Sequence, residues 1–349
     1  FSHSRFFASV PAWMSVTAIV LVCFAYTLVR PFLAESCLTA SKSVYSPSNR
    51  QQKDPRMQVI LHTGVHFTDE GRLLKGLQRN APAFREHGVA VPGPARYKTL
   101  LGEAAHSLTN SAPAPDAREI MLDELLTDDP EHVSRILLSH QHIFGVPKIS
   151  MQGGIPYRKA EERIGALKSL FKGDEIELFI GLRNPATWFP AMFNDVPQSS
   201  FDDFMGGLDP RDFLWSDFLK RLRNAHPDVA LTVWFNEDTP LIWGQIMREM
   251  AGVEITQKIA GSFDLLAQIM SVEGMKRFRA YLAQHPTINE RQKRRVMVAF
   301  LDKYAIEDEI EEELDIPGWN EAMVDTLTET YDDDMWEIER VPGVTVITT

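Results

Sequence analysis

From Met57 onward, short apolar runs alternate with amphipathic segments. Val59-Ile60-Leu61, ending at Thr63-Gly64, predicts a buried parallel strand. Leu73, Leu74, Leu77, Ala81 and Phe84 then share one helical face, and Gly88 supplies the stop. Further strands are predicted at 89–91 (closed by Pro92-Gly93-Pro94), 135–139, 176–182 and 229–235. Asp116 with Glu119 predicts a capping box for a helix carrying Ile120, Leu125 and Leu126. Ala160, Ile164, Leu167 and Phe171 fall on one helix face, and beyond Pro240 the pattern is almost wholly helical to about Trp336. Strands alternating with helices predict an α/β fold. The expectation is a mainly parallel β-sheet of about five strands flanked by helices, with a mainly helical C-terminal part.

Residues 1–56 break from this pattern. The span 10–29 holds twenty uncharged residues between Arg5 and Arg30, just long enough to cross a hydrocarbon core of about 30 Å. Two readings stand: a membrane anchor or uncleaved signal, or sequence upstream of a natural start at Met57, which is preferred because Met57 opens directly into a strand. The expected protein is therefore cytoplasmic, with a membrane-anchored form if 10–29 is a real anchor. The domain is expected over 57–345.

Charge sharpens the same boundary. The first 56 residues carry six basic and two acidic side chains, so a chain of net charge −12 leaves −16 for residues 57–349. That acidity argues against nucleic acid as a partner, because phosphate backbones are held by Lys and Arg. Both cysteines, Cys23 and Cys37, lie in the extension. Disulfides, thiolate catalysis and cysteine-held zinc are excluded for the rest.

Three stretches, taken together, resemble bacterial sulfotransferases. His62-Thr63-Gly64-Val65-His66-Phe67-Thr68-Asp69-Glu70-Gly71 is similar to the family's donor-binding turn between strand and helix, a P-loop-like element. Arg183-Asn184-Pro185 matches a strand end whose Arg holds the donor's 3′-phosphate, and Leu138-Ser139-His140-Gln141 resembles a strand ending in Ser-Ser-Glu. The resemblance implies sulfuryl transfer from 3′-phosphoadenosine 5′-phosphosulfate, as co-substrate, to an unknown small-molecule acceptor. It places Thr63, Gly64, Thr68, Arg183 and Asn184 at the donor.

The chain departs from that pattern at several chemically important points. Phe67 stands where a Lys would neutralise the leaving oxygen, Asp69 and Glu70 replace a Gly and a Thr, and Gln141 replaces the carboxylate base. Ala191 stands where a Ser would bind the 3′-phosphate. The expectation leans to a transferase with altered catalysis, in which His140, His142 or His66 serves as proton acceptor. The alternative is a non-catalytic relative binding a small molecule or a protein, with Asp69 or Glu70 paired to Arg183. His62, His66, His140 and His142 have metal-like spacing, but no carboxylate or Cys is fixed beside them, and no metal is expected. Lys276, Arg277, Arg279 and Lys293–Arg295 are either phosphate contacts or a wet helix face. Trp188, Phe189, Met192 and Phe193 are either an acceptor wall or helix packing.

Overall fold

The computed structural model describes residues 56–127, 132–196, 200–310, 316 and 318–349. The apolar segment 10–29 lies outside them, and so does most of the acidic run at 308–315. No helix among the described residues is long and apolar enough to cross a membrane.

The chain is α/β. In order it forms β1 (Gln58–Gly64), α1 (Arg72–Arg85), β2 (Val89–Ala90), α2 (Pro94–Ser107), α3 (Ala117–Leu125), β3 (Arg135–Ser139), α4 (Ala160–Leu170), β4 (Glu175–Leu182) and α5 (Pro185–Asn194). It continues with α6 (Phe201–Met205), α7 (Trp215–Ala225), β5 (Ala230–Phe235), α8 (Thr239–Ala251), α9 (Leu266–Ile269), α10 (Val272–Gln284), α11 (Glu290–Tyr304), α12 (Glu321–Glu339) and β6 (Val344–Ile347). All strand pairs are parallel, in the order β2-β3-β1-β4-β5-β6. The sixth strand, one more than expected, is β6. It is only four residues long and lies at the sheet edge beside β5.

Alternation along β1 divides the core. Val59 and Leu61 join one apolar cluster with Tyr97, Ile164, Leu167 and Trp188, whereas Ile60 joins another with Leu73, Leu77 and Ile246. Both faces of the sheet are therefore covered by helices, which is why the strands read as continuous apolar runs. Trp188, Phe189 and Met192 are fully buried, and Trp188 and Phe189 pack among Tyr157, Phe213, Trp215 and Trp319, so the aromatic run is helix packing. The expected capping box does not form: Asp116 has φ −103° and ψ 6°, and its side chain bonds no helix N–H. Helix α3 accordingly buries Met121, Leu122 and Leu125 and leaves Ile120 exposed.

One junction fastens the far end of the chain to the sheet. At the end of β4, Trp215 Nε1 donates to the Arg183 carbonyl at 2.9 Å, and Asn184 Nδ2 donates to Thr328 Oγ1 of α12 at 3.0 Å. Glu237, after β5, accepts from the Asn184 N–H at 2.8 Å and from Tyr331 OH of α12 at 3.0 Å. Asn184 Oδ1 also caps α5 by accepting from Ala186 N at 2.9 Å. Replacing this one side chain removes a cap and a buried donor together. Asn184→Ala should destabilise the protein by about 2 kcal/mol in urea unfolding, whereas Thr328→Ser, which keeps the hydroxyl, should cost well under half of that.

Candidate functional site

Helix α1 follows β1 onto one face of the sheet, and α4 follows β3 onto the other. β1 and β3 are neighbours, so the connections leaving them diverge and open a crevice at their carboxyl ends, the usual ligand position in open α/β sheets. A cleft of about 380 Å³ lies there. It is lined by His66, Phe67, Asp69, Glu70 and Gly71 after β1, by Ser139, Gln141, His142 and Pro147 at and beyond the end of β3, and by Lys98 and Asp195.

The turn after β1 is held by its own polar groups. Phe67 and Glu70 have left-handed φ of 59° and 51°, uncommon for residues with a Cβ. Thr68 Oγ1 donates to the Val65 carbonyl at 2.7 Å, and Asp69 Oδ2 accepts from Leu73 N at 3.1 Å, satisfying an N–H in the first turn of α1. Glu70 pairs with Arg72 at 2.5 Å. Arg183, buried beside the turn, donates through Nη1 to the Phe67 carbonyl at 2.6 Å and through Nε to Thr187 Oγ1 at 3.0 Å. Neither Asp69 nor Glu70 pairs with it, so the site is not filled in the way the sequence suggested. Arg183 supports the turn from behind and is not among the residues lining the cleft.

Of the other residues expected at the donor, Thr63 is fully buried with its hydroxyl unbonded. Gly64 has a left-handed φ of 99°, which suits glycine. The Asn184 amide is occupied by the α5 cap and by Thr328.

The histidines separate into two groups. His62 is a core residue: its Nδ1 lies 2.9 Å from Ser139 Oγ, its ring stacks on Trp234 at 5.7 Å, and Nε2 is buried without a partner. Gly181 makes room for this arrangement, because a Cβ there would lie 3.0 Å from the Trp234 ring. His66 and His142 line the cleft, and His140, expected as a proton acceptor, is buried beside His142 outside the lining. His66 Nδ1 is 2.8 Å from Tyr157 OH, and His66 Nε2 is 3.0 Å from His142 Nδ1. The His142 N–H approaches His140 Nδ1 at 3.4 Å.

This geometry fixes the protons. Tyr157 OH accepts from the His66 backbone N–H at 3.3 Å, and its described hydrogen bonds run only to His66, so its own proton goes to His66 Nδ1. His66 then carries its hydrogen on Nε2 and donates to His142 Nδ1, leaving His142 protonated on Nε2. Burial raises the Tyr157 phenol well above its ordinary range, which keeps it a donor. Burial first, and then the neighbouring His142, push His66 down to about 3. Burial with His142 and Lys98 pushes His140 down to about 4, and burial with Lys98 lowers His142. The cluster is neutral at pH 7.

Several of these partners carry no periodic or motif signal. Tyr157 lies in an irregular segment at φ 47°, and Lys98 sits on the exposed side of α2. Among the described residues no group of three or more His, Cys, Asp or Glu side chains could hold a metal ion. No protein-family model, curated protein or solved structure matches the chain.

Two outcomes follow from the proton arrangement. Nitrogen-15 NMR at pH 7 should find His66 and His142 as Nε2–H tautomers, and Tyr157→Phe should release His66 from a single tautomer. Because the folded-state pKa values of His66 and His140 are lowered, the unfolded chain binds more protons below about pH 6.5. Stability is therefore complete above that pH and falls as the pH drops towards 4. The loss should be about 1 kcal/mol or more per pH unit in urea titrations and should become shallower in His66→Gln, with the buried His62 and His140 still contributing.

Proposed function

We propose that this chain is a sulfotransferase-like protein that binds a small polar molecule in the histidine cleft without transferring a sulfuryl group from 3′-phosphoadenosine 5′-phosphosulfate. The observation that carries this reading is the placement of Arg183. The guanidinium expected to hold the donor's 3′-phosphate is bonded to the Phe67 carbonyl and Thr187, beneath the turn.

The cleft itself supports the same reading. Asp69, Glu70, Asp195 and Lys98 all line it, together with His66 and His142, whose imidazoles are held below their ordinary pKa. Three acidic side chains, one of them paired with Arg72, against one lysine disfavour a ligand with several negative charges. Phe67 lines the cleft where the resemblance calls for a lysine, so no cation stands there to stabilise a departing phosphate. The backbone N–H groups of residues 67–71 donate to no partner among the described residues, which leaves donors for the oxygens of a ligand. An uncharged or cationic polar molecule fits this set, with the His142 Nε2–H as a further donor.

Calorimetry with 3′,5′-adenosine bisphosphate, the spent donor, tests the proposal. No binding is expected at millimolar concentration, and micromolar binding would overturn the reading and restore the transferase. Arg183→Ala gives an independent measurement. As a structural tie its loss should cost about 2–4 kcal/mol of stability, by leaving the Phe67 carbonyl without its charged donor. An arginine kept for an anion would instead leave stability unchanged or raised when removed.

A further inference from the structure

A second cleft, of about 620 Å³, shares no lining residue with the histidine cleft. It lies between α8, the 255–263 segment and the start of α11. Its charge is opposite to that of the chain. Arg248, Lys258 and Lys293 line it against a single carboxylate, Glu290, in a region of the sequence whose net charge is −16.

Glu290 is shared rather than matched. Its Oε2 accepts from Arg248 Nη2 at 3.2 Å, and its Oε1 accepts from Lys293 Nζ. Burial works to raise Glu290, but the Lys293 bond and the charges of Lys293, Arg248 and Arg294 outweigh it and hold the carboxyl below its ordinary value. One carboxylate thus faces two cations, and Lys258, which no described ion pair engages, adds a third. The capping box of Asn289 and Gln292 fixes the start of α11, so Glu290 and Lys293 are presented from a rigid element. The Arg248 side chain is 9% exposed, so its charge is felt through little water.

The remaining walls mix apolar side chains with Gln245, Thr256, Gln257, Ser262 and Asn289. Leu241, Ile259 and Met297 are buried along the cleft, while Ile255, also lining it, is 64% exposed. A ligand with a hydrocarbon body would cover that side chain, at about 25 cal/mol per Å² removed from water.

We propose that this cleft binds an amphipathic organic anion, with its acidic head against Arg248, Lys258 and Lys293 and its apolar body over Ile255, Ile259 and Met297. The occupant is a small free molecule, since a cleft of about 620 Å³ is of small-ligand size and two of its cations, Arg248 and Lys293, already meet on the one carboxylate of Glu290.

Calorimetry of the full chain with octanoate, set against octanol as the uncharged counterpart, reads both parts of the proposal. Octanoate is expected to bind at least about tenfold more tightly than octanol. Lys258→Glu reverses a charge on an exposed side chain without touching the core, and should weaken octanoate about fivefold or more. Glu290→Gln removes the competing carboxylate and should tighten it. A merely structural role for these residues would not move affinity in opposite directions. Equal affinity for octanoate and octanol, no octanoate binding at millimolar concentration, or an unchanged affinity in Lys258→Glu would each overturn the proposal.

Discussion

The candidate site depends on a buried guanidinium holding a carbonyl. Arg183 leaves the end of β4, is almost wholly shielded, and donates to the Phe67 carbonyl in a turn where Phe67 and Glu70 both adopt left-handed backbone. Such a turn is costly, by about 1 kcal/mol or more for each such residue, and persists only where its surroundings over-determine it. The surroundings here are Arg183 from below, Thr68 closing onto Val65, and Asp69 reaching forward to the first turn of α1. Arg183 is in turn held by what sits on its own backbone: Trp215 on its carbonyl, and Glu237, Thr328 and Tyr331 on and around Asn184. The C-terminal helix α12 thus reaches the turn after β1 through three successive polar contacts.

That chain of contacts gives the substitutions in the turn a local meaning. Two carboxylates at a helix N-terminus repel an incoming polyanion, yet they favour the helix dipole. In the structure Asp69 does act on the helix, through the Leu73 N–H, and Glu70 turns out to Arg72. Two of the residues that depart from the resemblance, Asp69 and Glu70, therefore make their contacts with the chain's own groups. Where a donor-binding loop leaves its charges to be completed by a ligand, this loop completes them internally.

Much of the fold was legible because both faces of the sheet are buried. Val59 to Leu61, Arg135 to Ser139 and Ile176 to Leu182 read as strands from apolar runs alone, and the Leu73, Leu77 and Phe84 spacing placed α1 on its correct face. β6 was missed because four residues beginning with Val344 at a sheet edge give too short a pattern. The Asp116–Glu119 pair was misleading for a different reason: a capping box needs an extended cap residue, and Asp116 is not one. At the site, the strand ends were legible and the side-chain pairings were not. His66, His140 and His142 could be brought to one sheet edge by topology, but Tyr157, which orders their protons, belongs to an irregular segment ninety-one residues from His66.

The histidine cluster shows what that irregular segment contributes. A neutral imidazole offers one donor and one acceptor, and its tautomer decides which of them faces a ligand. Here a phenol that burial keeps protonated sets His66, and His66 sets His142, so the polarity of the cleft wall is decided by a group in the core. Lowering the pKa values of His66 and His140 has a second effect: the cleft gains no positive charge at neutral pH, and the acidic residues around it keep their influence. A neutral donor rim inside an acidic border is matched by ligands that bring oxygens without bringing negative charge. On the proposed reading, the same physical condition that makes the cluster stable in the core, burial of uncharged imidazoles, also works against the phosphosulfate that the strand-and-turn pattern would otherwise suggest.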